Sequence, residues 1–292
     1  MAQPLIIRKR PRLIEPSLVV GWTDSGHVGI NTVDYLVSSL KAEECAEIEP
    51  HNFFPMPYAL IKGGVLQGIE YQKNSFYYWK NMKSTGDLLL FGSRPPATNQ
   101  HEMISLILDL AETFQVSRIY TVGGMQANTA HTAKPRIFGI INNPSLRSDL
   151  AKYDIESSTD YNGPVSINGL LLGLAKQRGI DAISLWVRVP SYISEIPNPR
   201  ICMSILDILT DMLGISIDLN EIESEARHAD KQIEKLVSYL RQQNPDIDRH
   251  IRRLERNIIP EATKEDRLEF FKDIEEFLRE QKGNRDIDPP DK

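Results

Sequence analysis

Five short apolar runs separated by helix-patterned stretches constrain this chain more than any other feature. They are residues 18–20 (LVV), 87–91 (DLLLF), 117–122 (SRIYTV), 136–141 (RIFGII) and 181–189 (DAISLWVRV). Between them, residues 28–40, 101–114, 166–178 and 200–213 carry apolar side chains at helical spacing. Ser166 stands where an N-cap is needed and Gly179 where a helix stops, and Asn198-Pro199 opens the next helix. Continuous apolar strands alternating with helices predict a mostly parallel sheet covered on both faces, an α/β fold. Residues 53–79 break the pattern. They are rich in aromatics, and Gly63-Gly64 sits between two extended runs, so a hairpin leaving the sheet is expected.

Charge density changes sharply near residues 214–220. Residues 221–292 hold 19 acidic and 15 basic side chains, nearly half of all charges in a quarter of the chain. This predicts a body over residues 1–218 and a charged helical extension over 219–292, with helices near 219–243, 247–257 and 264–281 and a disordered end at DIDPPDK. Ile222, Ala226, Ala229, Ile233, Leu236, Val237 and Leu240 follow 3–4 spacing, a stripe that needs a groove on the body or on a neighbouring subunit. A net charge of −6 offers no general attraction to nucleic acid. No apolar run approaches the roughly 20 residues that span a bilayer, and residues 1–13 lack the apolar stretch of a signal peptide. Cys45 and Cys202 form no CxxC pair. A cytoplasmic protein without membrane or nucleic-acid partners is expected.

Three glycine-bearing bends are the candidate site. The first, Gly21, Asp24, Ser25, Gly26 and Gly29, joins a strand to a helix N-terminus, the usual cradle for an anion. It begins like a phosphate-binding loop, but His27-Val28 replace the Lys and hydroxyl residue such a loop requires, and Asp24 places a negative charge beside any bound phosphate. The glycines also serve a purely structural strand-to-helix turn. The second bend is Gly123-Gly124 at a strand end. The third holds Gly163, Ser166, Asn168 and Gly169 at a helix start. Ligands of open α/β sheets bind outside the carboxyl ends of strands, so the three bends could line one crevice. They could equally let backbones pack closely.

Other constellations are incomplete. Ser25 lacks the first glycine of a nucleophile elbow. His27 and His131 lie near strand-end loops, and the six histidines include neither HxH nor HExxH, so no metal and no cofactor is expected. His228 and His250 read as solvated surface residues, and Arg188 at a strand end as an ion-pair partner or an anion contact.

The segments GWTDSGHVGINTVDYL, FGSRPP, TVGGMQ, YNGPVSINGLLLGLAKQRGIDAISLWVRVPSY and NPRICMSILDILTDMLGISIDLNEIESEA, in this order over residues 15–235, resemble the PAC2 family, proteins similar to proteasome assembly chaperones. The resemblance implies a three-layer α/β/α sandwich like that of purine nucleoside phosphorylases, a C-terminal helical region, and self-association, with trimers favoured. It carries no catalytic motif. It implies a non-enzymatic oligomeric assembly chaperone or scaffold for a protein complex; the alternative is a protein binding a nucleoside, nucleotide or phosphoanion in the strand-end crevice. Two departures stand out. Relatives that dock on the proteasome often end in hydrophobic–Tyr–any residue, whereas this sequence ends Pro290-Asp291-Lys292, and MQANTAHTAKP follows TVGG in place of an aromatic-led segment.

Overall fold

The computed structural model describes residues 4–82, 86–157 and 161–256. The chain opens with strands β1 (Leu5–Ile7) and β2 (Ser17–Trp22), helix α1 (Val28–Leu40) and strands β3 (Glu43–Ile48), β4 (Tyr58–Lys62), β5 (Val65–Glu70), β6 (Ser75–Trp79) and β7 (Leu88–Ser93). It continues through α2 (Gln100–Thr113), β8 (Arg118–Ala127), β9 (Ile137–Ile141), α3 (Arg147–Lys152) and β10 (Glu156–Ser157). Helix α4 (Ile167–Gln177), strand β11 (Asp181–Pro190) and helices α5 (Pro199–Met212), α6 (Asn220–Gln243) and α7 (Pro245–Glu255) complete it.

Nine strands form one sheet in the order β1-β3-β6-β7-β2-β8-β11-β9-β10. The central four, β7-β2-β8-β11, are parallel, but β1, β3 and β6 join antiparallel on one side and β9 runs antiparallel to β11 on the other. The sheet is therefore mixed rather than mostly parallel. Strand direction depends on how a connection returns, which a local apolar pattern does not record. Residues 53–79 contain both the expected hairpin and β6, which belongs to the main sheet.

Alternation along the central strands explains the layers. Leu18 and Val20 of β2 with Leu89 and Phe91 of β7 face α2 and α4, while Val19, Leu88 and Leu90 face α1 and α5. Each of these side chains is essentially inaccessible, and burying each contributes about 1.5–3 kcal/mol. The result is a three-layer α/β/α sandwich with its core on both faces of the sheet. Helix α4 begins at Ser166, whose hydroxyl accepts from Gly169 N at 3.2 Å, and is followed by Gly179 at φ +73°. Asn198 caps α5 by accepting from Ile201 N at 3.2 Å, ahead of Pro199.

The apolar stripe of α6 is covered by the chain's own elements. Ile222 joins the core beneath α5, and Ile233, Val237 and Leu240 pack with Tyr192, Ile193 and the buried face of α7. Arg241 of α6 reaches Asp248 and Glu255 of α7. The proposed helix over 264–281 and the terminal DIDPPDK lie outside the described residues. Among the described residues, no helix is long and apolar enough to cross a membrane.

Candidate functional site

The first bend closes on itself around Asp24. Its backbone is extended (φ −147°, ψ −167°), Gly26 and His27 turn the chain at φ +67° and +53°, and α1 starts at Val28. Pairing of β2 with β8 ends at Gly21 and Val122, so the next edge of β8 lacks a strand partner on that side. Asp24 supplies one. Its Oδ2 accepts from Gly124 N at 2.7 Å and its Oδ1 from Gly29 N at 3.1 Å. The carboxylate thus takes the place of an anion in the helix N-terminal cradle, where peptide dipoles favour negative charge. Burial nevertheless raises its pKa to about 7, against the opposing effect of the hydrogen bonds from Gly29 and Gly124.

The glycines around it are set by backbone contact. A Cβ on Gly21 would lie 2.0 Å from Gly29 O, one on Gly29 would lie 2.6 Å from Trp22 O, and one on Gly124 would lie 2.0 Å from Ser25 O. Gly26 is held on both sides, its N–H donating to Ser194 O and its carbonyl accepting from Asn198 N at 3.0 Å.

The second and third bends meet at Gly123. A Cβ there would contact Asp24 Oδ2 at 2.8 Å, Trp186 at 3.1 Å and Asn168 Nδ2 at 3.2 Å. Asn168 is buried, and its Oδ1 and the Nε1 of Trp186 have no hydrogen-bond partner among the described residues. Asp24, Gly123, Gly124 and Asn168 therefore converge. The rest of the third bend is used locally: Ser166 and Gly169 make the α4 cap, and Gly163 lies against Tyr161, whose hydroxyl donates to Pro164 O at 2.8 Å.

A separate cavity lies beside α6, with no motif in the sequence to mark it. A cleft of about 900 Å³ opens between the 128–136 segment, the end of β11, the start of α5 and helices α6 and α7. His131 is fixed at its wall: its N–H donates to Tyr192 Oη at 2.7 Å, and its Nδ1 and Nε2 pair with Tyr192 Oη at 2.7 Å and Glu234 at 3.0 Å. Arg200 grips Asp230 through Nε, at 3.0 and 2.8 Å to the two oxygens. Arg188 lies 3.6 Å from Glu156, in an ion pair on the cleft's rim. The cleft is assembled from separate segments, and two residues noted in the sequence, His131 near a strand-end loop and Arg188 at a strand end, line it rather than the crevice of the glycine bends. His250, expected on the surface, is half-buried in α7, which lowers its pKa together with the charge of Arg253, whereas His228 is exposed beside Gln232.

The hairpin of β4 and β5 forms a separate two-stranded sheet. Its base is clasped by Arg94 over the Tyr58 ring at 5.3 Å and by His51 against Tyr71 at 4.6 Å. Beyond that base, opposition of Ala59 to Ile69 and of Ile61 to Leu66 puts four apolar residues on one face. Ile61, Leu66 and Ile69 are 62%, 57% and 56% exposed.

Several known proteins are similar to this chain in structure or in sequence. Pyrococcus furiosus PbaB, an archaeal proteasome activator, superposes with a TM-score of 0.66 at 26% identity, covering 80% of this chain and 97% of PbaB. A PAC2 family protein from Streptomyces avermitilis superposes with a TM-score of 0.66 at 27% identity over 76% of this chain and 95% of its own. The uncharacterized protein MJ1210 of Methanocaldococcus jannaschii is 26% identical over 240 residues, 80% of this chain and 89% of that protein. The PAC2 family model matches residues 18–237, from β2 through most of α6, and the chain belongs to the PAC2 family.

Proposed function

We propose that this protein is a non-enzymatic, oligomeric assembly chaperone or scaffold that acts on a protein complex in the cytoplasm. The observation that carries the reading is the β4–β5 arm. A two-stranded hairpin is marginal by itself in water, and this one holds Ile61, Leu66 and Ile69 out to solvent on one face. Contiguous exposed apolar surface of this kind marks contact with another protein. Membership of a family that includes a proteasome activator supports a macromolecular partner. On this reading the glycine bends are packing devices, since Asp24 fills the cradle in which a phosphate would sit and the glycine positions are dictated by backbone contact.

Self-association is the second part of the proposal. The stripe of α6 is consumed within the chain, which leaves the hairpin arm as the surface that joins copies, with a trimer as the expected state. The test is the profile of large complexes in cells lacking the protein, complemented with wild type or with the Ile61→Asp/Leu66→Asp variant. A sub-assembled intermediate that accumulates in the deletion, clears with wild type and persists with the variant is expected. A complex profile indifferent to the deletion refutes the proposal.

A further inference from the structure

The cleft beside α6 carries an unbalanced positive rim. Its acidic groups on α6 are already committed, Asp230 to Arg200 and Glu234 to His131. Across from them stand Lys134, Arg136 and Arg188. Arg188 N donates to Arg136 O at 3.3 Å, so the two residues are neighbours, and both guanidinium groups turn to one carboxylate, Glu156, at 3.4 and 3.6 Å. The second distance is beyond a hydrogen bond. Lys134 has no ion-pair partner among the described residues. Three cations therefore stand on this rim against one carboxylate, which only two of them reach, in a protein whose net charge is −6. Like charges held together are costly unless an anion joins them.

Buried apolar residues, Ala130, Pro190, Ile201, Ile233 and Leu254, also line the cleft. The volume of about 900 Å³ lies inside the roughly 300–1,000 Å³ typical of ligand clefts. The helix N-terminal N–H of Ile201 is taken by the Asn198 cap, so no ring of free donors awaits a compact phosphate. Spaced cations beside buried apolar lining residues match acidic and apolar side chains spaced along an extended chain.

We infer that this cleft binds an acidic, leucine-containing segment of a protein partner, with Lys134, Arg136 and Arg188 reading its carboxylates. It adds a cargo contact to the scaffold proposed above and rests on that reading for its biological sense. Its test uses peptides rather than assembly, so either can fail alone.

The probe is a fluorescein-labelled peptide of repeating Leu-Glu-Asp, compared by anisotropy with its Leu-Gln-Asn counterpart on the full-length protein. The acidic peptide is expected to bind at least about tenfold more tightly. The Arg136→Gln/Arg188→Gln variant, exposed at both positions and so retaining the wild-type melting curve, is expected to lose at least about tenfold, as does raised salt. A Lys134→Gln variant loses less. Equal binding of the two peptides, an arginine variant that binds like wild type, or displacement of the acidic peptide by millimolar inorganic phosphate each overturns the inference.

Discussion

Asp24→Asn separates the charge of the buried carboxylate from its shape. In the folded protein the group titrates at about 7, against 3.8 ordinarily, chiefly because it is buried. The folded state therefore holds the proton more tightly than the unfolded chain between these values. Stability falls with pH wherever the folded state binds more protons, so Asp24's contribution is fully present below about pH 4 and is lost as pH rises through 7. A shift of about three units corresponds to roughly 4 kcal/mol at most. The amide cannot titrate, but it serves only one of the two N–H groups of Gly29 and Gly124 and turns an NH2 toward the other. Leaving one buried donor unsatisfied costs about 1–3 kcal/mol. The variant is therefore less stable than wild type at about pH 4.5, and the gap closes or inverts by about pH 8. Urea denaturation followed by circular dichroism across this range measures it. Asp34 and Asp207, also raised by burial, contribute equally to both proteins and cancel in the difference. A stability difference independent of pH refutes the account of the cradle.

Gly124→Ala places a Cβ 2.0 Å from Ser25 O, and overpacking of this kind costs about 3 kcal/mol or more; calorimetry checks it, and an unchanged melting temperature contradicts the backbone-contact argument. Tyr192→Phe removes the hydroxyl that meets both the N–H and the ring of His131, with an expected loss of about 1–3 kcal/mol in urea melts; no loss shows that His131 finds another partner. Burial pushes the thiols of Cys45 and Cys202 up to about 11 and about 12, so Ellman's reagent at about pH 8 is expected to react only after denaturant is added, and rapid reaction of the native chain contradicts their burial.

Much of the sandwich is legible in the sequence because its signals are local. Ser166 and Gly179 bracket α4, Asn198-Pro199 opens α5, and the α6 stripe shows which face is covered, though not that its cover is α7 and the body. Strand β3 is hidden because its sequence, EECAEI, alternates poorly and is rich in Glu, yet Cys45, Ala46 and Ile48 are fully buried once β6 pairs beside it. The three bends were recognisable as a group, but not the division of labour among them. The negative charge of Asp24 speaks against a bound phosphate, and only the register of β2 on β8 reveals that this carboxylate accepts from Gly124 N past the end of the strand pairing. The cleft escapes a linear reading because the segment of Lys134 and Arg136, the strand end of Arg188 and the helix start of Arg200 are distant in sequence, each charge ordinary by itself.

The claim on which the functional account rests is that the β4–β5 arm joins copies of the chain through its apolar face. Mass photometry of the purified full-length protein beside Ile61→Asp/Leu66→Asp tests it most directly. The account predicts a wild-type particle of three times the 33.2 kDa chain mass and a variant that is monomeric with an unchanged far-ultraviolet spectrum. A wild-type monomer, or a variant that assembles as fully as wild type, contradicts it.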